Sequence, residues 1–139
     1  MDIPWEIIWG PDDHIWATER YGRVSRINPE TGSTEVLLDL SADVYERSET
    51  GMLGMALHPD FENTPHVFIA YTYLNGSNIR ERLVKFEYDD TILSPLDTLI
   101  EDITGNTTHV GCRLIFLADN TLLMSTGDAQ QQSLPQDTT

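Results

Sequence analysis

The sequence predicts an all-β protein built of propeller blades, and three observations predict it. Short β-prone apolar runs alternate with tight turns from Trp5 to Asp128, and no helical periodicity lasts longer than a turn or two. A single grammar recurs three times: apolar strand, turn holding an Asp, apolar strand. The Asp residues are Asp12, Asp60 and Asp119, spaced by 48 and 59 residues. Periods of roughly 40–50 residues built from four strands each indicate propeller blades. A small complete β-sandwich is the alternative.

The first blade is expected over residues 1–40. WEIIW at 5–9 is a strand, Gly10-Pro11-Asp12-Asp13 a turn, and HIWATER at 14–20 the second strand. After Tyr21-Gly22, the run Arg23 to Asn28 alternates Val24 and Ile27 with polar residues. Pro29-Glu30-Thr31-Gly32 turns the chain into a fourth strand, Ser33 to Leu40. Residues 41–50, SADVYERSET, form a polar loop.

The second blade is expected over 51–103. Its strands are GMLGMAL at 51–57, HVFIAYTYL at 66–74, Ile79 to Tyr88 and Ile92 to Ile103. A third blade starts within 107–139, giving about two and a half blades. Propellers close with roughly four to eight blades, and the final run QQQSLPQDTT stops where another strand should begin. The chain is therefore expected to be a fragment of a longer protein. Trp5, Trp9 and Trp16 fall on strands and are expected in the core. His14, His58 and His66 have no acidic constellation in the sequence and are expected to pack or face solvent.

Composition narrows the function. The chain carries 23 acidic against 8 basic residues, a net charge of −15. Nucleic-acid binding needs clustered Lys and Arg, which are absent, and an anionic membrane surface is disfavoured for the same reason. No apolar run is long enough to span a bilayer, and no signal-peptide pattern precedes Trp5. The single cysteine, Cys112, excludes an intrachain disulfide and a Cys-based zinc site, and is expected to be a buried, inert thiol.

The stretch Thr107 to Asp128 carries the chemistry. Leu114 to Leu117 and Leu122 to Met124 are short strands, and Asp119-Asn120 between them is a hairpin turn. A hairpin returns the chain, so His109, ahead of the first strand, is expected on the same sheet edge as Asp128, behind the second. A His oriented by a carboxylate is the minimum for a general base. Gly127 is expected to serve the backbone turn before Asp128.

Three segments carry a family resemblance: PWEIIWGPDDHIWATERYGRVSRINPETG at 4–32, GMLGMALHPDF at 51–61, and HVGCRLIF with TGD within 109–128. The sequence resembles the soluble glucose/sorbosone dehydrogenases, sugar dehydrogenases that use pyrroloquinoline quinone (PQQ). The resemblance implies a six-bladed β-propeller and an oxidoreductase that oxidises an aldose at its anomeric carbon. It implies that His109 is the general base, that Asp128 orients it, and that hydride passes to PQQ. Electrons would leave to an external acceptor. Glu49 stands where the family often has a Gln near the substrate; it contacts substrate or faces solvent, and a carboxylate accepts hydrogen bonds where an amide also donates. Arg113 touches a cofactor carboxylate or is structural.

The resemblance places most PQQ ligands and the calcium ligands in later blades, so no metal ligand is expected in this chain. It is expected neither to bind PQQ tightly nor to turn over alone. The family's members are usually periplasmic or extracellular, which implies an exported protein whose leader has been removed. The competing reading is a non-catalytic propeller that binds a protein or glycan.

Overall fold

The structure, a computed structural model, describes residues 1–131 and 133. Ten strands run in chain order: β1 Pro4–Trp9, β2 Ile15–Glu19, β3 Arg23–Ile27, β4 Thr34–Asp39, β5 Met52–Leu57, β6 His66–Asn75, β7 Asn78–Tyr88, β8 Leu93–Thr104, β9 Gly111–Phe116 and β10 Leu122–Thr126. They form two four-stranded sheets, β1-β2-β3-β4 and β5-β6-β7-β8, and a two-stranded sheet, β9 with β10. Every pairing is antiparallel between consecutive strands. This is part of a β-propeller: two up-and-down blades and the opening hairpin of another. Among the described residues there is no helix, and none long and apolar enough to cross a membrane. Most of the polar run that closes the sequence, residues 132 and 134–139, lies outside the described residues.

The turns follow from their residues. Asn28 accepts the N–H groups of Glu30 and Thr31 on Oδ1 at 2.9 and 3.0 Å. Asp89 does the same for Thr91 and Ile92 at 3.0 and 2.8 Å. Such side chains mimic a backbone turn and reverse the chain without a helix. At the β9–β10 turn Asp119 Oδ1 accepts the Thr121 N–H at 3.0 Å, and Asn120 takes a φ of 66°, a conformation Asn tolerates better than most residues.

The blades stack face to face, so the middle strands are buried on both sides. From Val67 to Tyr73 every residue of β6 is buried. Val67, Ile69, Tyr71 and Tyr73 join Trp16, Val24, Met52 and Met55 in the core between the first two sheets. Phe68 and Ala70 join Leu53, Leu83, Val110, Cys112 and Leu114 in the core under the hairpin. Two-sided burial explains why these strands read as continuous apolar runs instead of alternating ones. Trp16 anchors the first core, meeting Tyr88 and Phe61 edge-on at 5.0 and 5.7 Å between ring centroids.

Two expectations differ from the structure of this chain. Trp5 and Trp9 are 46% and 60% exposed in it, on the face of β1 opposite Ile8. On β1 they alternate with Glu6 and Ile8, and Ile8 takes the side that packs on the core. His14 does have an acidic partner. Its Nδ1 lies 2.7 Å from the Asp12 carbonyl and 3.9 Å from the Asp12 carboxylate. Asp12 in turn accepts Arg26 Nε–H at 2.6 Å and Trp16 Nε1–H at 3.0 Å. The partner was hidden because it lies two residues away across a turn, where it reads as turn chemistry alone. Burial pushes the Asp12 carboxyl up, but the bonds from Arg26 and Trp16 outweigh it and hold the group below its usual range.

Candidate functional site

The hairpin β9–β10 is paired from Leu122 opposite Phe116 to Thr126 opposite Gly111. Beyond the last pair the two chain ends stay clamped. Gly127 N–H donates to the Val110 carbonyl at 2.7 Å, and Ala129 N–H donates to the His109 carbonyl at 3.1 Å. A Cβ on Gly127 would stand 1.7 Å from the His109 carbonyl oxygen. Glycine is needed there for close backbone approach, in addition to any turn. His109 itself takes a φ of 59°, a left-handed conformation uncommon outside glycine.

This clamp brings His109 Nδ1 within 2.9 Å of Asp128 Oδ1. Asp128 also accepts the Gln130 N–H at 2.9 Å. The His109 bond, then the Gln130 amide, hold the Asp128 carboxyl below its ordinary range, so it is ionised near neutral pH. An ionised carboxylate only accepts. In the neutral imidazole Nδ1 therefore carries the hydrogen, and Nε2 keeps a lone pair. The His109 side chain is 58% exposed, so that lone pair is open to a ligand.

Glu49 approaches from the loop before β5. Its Oε2 accepts the His109 backbone N–H at 2.7 Å, and its own N–H donates to the Thr107 carbonyl at 3.0 Å. The loop is tied to the first blade: Arg20 pairs with Glu46, and Arg20 Nε–H donates to the Thr50 carbonyl at 3.2 Å. Three sequence-predicted residues, His109, Asp128 and Glu49, thus converge from three separate segments of the chain.

Arg113 does not join them by any contact. It points along β9 toward β1, where its Nη1 lies 3.2 Å from Glu6 Oε1. A cavity of about 690 Å³ opens between β1, β5 and β9, and Arg113 lines it, whereas His109, Asp128 and Glu49 do not. The titratable cluster is the better candidate for chemistry, because it holds a histidine ring nitrogen at hydrogen-bond distance from a carboxylate.

Sequence reasoning missed the residues that stitch the His109 loop together. Asn106 Nδ2–H donates to the Ala129 carbonyl at 3.1 Å, and Gln130 Nε2–H donates to Thr108 Oγ1. Asn106 also has a signal: with Thr107 and Thr108 it forms a polar run directly ahead of His109. Among the described residues no group of three or more His, Cys, Asp or Glu side chains is placed to hold a metal ion.

The sequence matches the Glucose / Sorbosone dehydrogenase family over residues 1–139. It is 32% identical over 145 aligned residues to quinoprotein glucose dehydrogenase B of Acinetobacter calcoaceticus, covering 96% of this chain and 30% of that protein. It is 26% identical to the aldose sugar dehydrogenase YliI of Escherichia coli K12, covering 99% and 38%. The PQQ-bound aldose sugar dehydrogenase of Streptomyces coelicolor superposes with a TM-score of 0.88 at 27% identity, covering 99% of this chain and 41% of that one. The chain thus spans well under half the length of each.

Proposed function

Because this chain belongs to the glucose/sorbosone dehydrogenase family, we propose that its full-length protein is a quinoprotein oxidoreductase that oxidises an aldose at the anomeric carbon, with His109 as general base. The observation that carries the reading is the 2.9 Å contact between His109 Nδ1 and Asp128, which leaves Nε2 free to accept a proton.

PQQ is a carboxylate-rich quinone and needs cations around it. Arg113, the candidate cation, is held by Glu6, while Glu49 and Asp128 are acceptors already engaged by protein N–H groups. These residues fit the proton-handling half of the reaction and do not fit a cradle for PQQ or calcium. When bound, PQQ would supply the hydride acceptor.

What this chain supplies is proton control. Nε2 of His109 takes the proton of the anomeric hydroxyl as the carbon–hydrogen bond breaks. Asp128 holds the ring in the required tautomer and stabilises the imidazolium that results. Glu49 fixes the His109 backbone from the other side. The proton then leaves to solvent. Calcium, an external electron acceptor and an exported location complete the proposal by the same kinship.

The test is reconstitution of the full-length gene product with PQQ and calcium, with dye reduction followed over a panel of aldoses, wild type beside His109→Ala. The proposal expects aldose-dependent reduction that falls by about 100-fold or more in the variant. A folded protein inactive with every aldose would instead favour a binding propeller.

A further inference from the structure

Glu81 sits in β7, opposite Thr72 of β6 and Ile103 of β8 in the strand registers. Its side chain is 1% exposed. Arg80 and Arg82 flank it in sequence and, by strand alternation, lie on the other face. There Arg82 stacks 3.3 Å over the Tyr73 ring, and Arg80 bonds Thr104 at 3.4 Å. From β6 and β8 the register partners of Glu81 are uncharged. Across the seam to the hairpin it meets Cys112, whose Sγ–H donates to Glu81 Oε2 at 3.1 Å. Cys112 is itself packed with Leu53, Leu83, Val110 and Leu114.

The start of β9 is strained. His109, Gly111 and Cys112 take φ values of 59°, 80° and 73°. Non-glycine residues stay in that region only where their surroundings over-determine them. Two such constraints are backbone contacts. The Cys112 carbonyl lies so close to Gly54 that a Cβ there would stand 1.8 Å from it, and the Val110 carbonyl is held by Gly127. The third is the grip of Glu81 on the Cys112 side chain.

We propose that Glu81 is a positioning residue for His109: it holds the start of β9 through Cys112, and loss of its proton slackens that hold. The proposal rests on the role of His109 as base. Burial pushes the Glu81 carboxyl up to about 7, against a smaller opposite effect of the Cys112 hydrogen bond. Burial, then the adjacent Glu81, push the Cys112 thiol up as well. Below that pH the pair is neutral and suits its apolar surroundings. Above it Glu81 releases its proton to bulk water, leaving a carboxylate whose facing donor is a weak S–H. Water drawn toward the charge opens the seam, and the strained segment three residues from His109 gains freedom.

The experiment measures hydrogen exchange in the full-length protein for peptides covering residues 107–113, at about pH 5.5 and about pH 8.5 with intrinsic rates corrected. Wild type should lose protection by about tenfold at the higher pH. Glu81→Gln keeps the shape and cannot ionise, so it should hold the low-pH protection throughout. Glu81→Met serves as a second neutral variant with the same expectation. In the reconstituted enzyme the alkaline fall in kcat near neutrality should vanish in Glu81→Gln with KM little changed. Protection that does not respond to pH in wild type, or responds equally in both variants, overturns the proposal. Absence of aldose oxidation overturns the enzyme reading alone, because the exchange comparison reads the lock without turnover.

Discussion

Replacing Gly127 with Ala should disable the proposed base without unfolding the blade. The added Cβ would stand 1.7 Å from the His109 carbonyl oxygen and 2.3 Å from its carbon, where real Cβ contacts stay beyond 3.0 Å. The difference, 3.0 − 1.7, means that the two backbones must part by at least 1.3 Å. The obstacle is main chain, so no rotamer change relieves it. That displacement acts on the residue that carries the base and on the residue before Asp128, and a 2.9 Å hydrogen bond does not survive it. Misplacing a catalytic group by about 1 Å costs about 100-fold in rate. The full-length enzyme with Gly127→Ala should therefore lose about 100-fold in kcat while its far-ultraviolet circular dichroism is unchanged. Imidazole NMR should show that the His109 ring has lost its carboxylate partner. A variant that keeps kcat within about threefold of wild type, with the ring signal unmoved, would show that His109 does not depend on this close approach.

Asp128→Asn keeps the side-chain shape and removes the charge that favours the imidazolium, so kcat should fall by about 10- to 100-fold with little change in KM, read by steady-state dye reduction. The Asp128 carboxyl is held below its ordinary 3.8, so what its ionised form contributes is present above that pH and fades only as pH falls through the lower folded value; pH-jump NMR of the His109 ring would follow it. Glu81 has the opposite sign. Raised from 4.5 to about 7, it keeps in the folded state a proton that the unfolded chain gives up, so stability should fall by about 3 kcal/mol as pH rises across that window, and Glu81→Gln should flatten the urea-midpoint profile. Trp16→Phe removes a hydrogen bond to Asp12 at 3.0 Å and part of a fully buried aromatic contact, and should cost about 2 kcal/mol in urea denaturation.

What was legible in the sequence was whatever the chain states locally. Turns such as Pro29 to Gly32 and Asp119-Asn120 announce themselves by residue type, so the strand order and the three-fold grammar followed. The approach of His109 to Asp128 followed from the same hairpin, because a turn between two short strands returns the chain to its start. Properties that depend on the neighbouring sheet were not legible. An apolar run does not say which face meets a partner, so Trp5 and Trp9 read like Trp16 although they lie on the exposed side of β1. Glu81 reads as one more charge in an alternating strand. Only the stacking of the hairpin on the second blade turns it into a buried acid facing Cys112. Gly127 reads as a turn glycine, and the carbonyl it must admit belongs to a residue 18 positions away. The left-handed backbone of His109 has no firm sequence signal, since even histidine, enriched there among non-glycine residues, adopts it only uncommonly.

The proposed reaction depends on His109 acting as the base, oriented by Asp128. Its most direct test is the pH dependence of kcat/KM for the reconstituted full-length enzyme, wild type against Asp128→Asn, alongside the His109 imidazole titration followed by NMR in the same samples. If His109 is the base, the acidic limb of the profile follows the His109 titration in both proteins. An acidic limb that departs from the His109 titration in either protein would assign the base to another group.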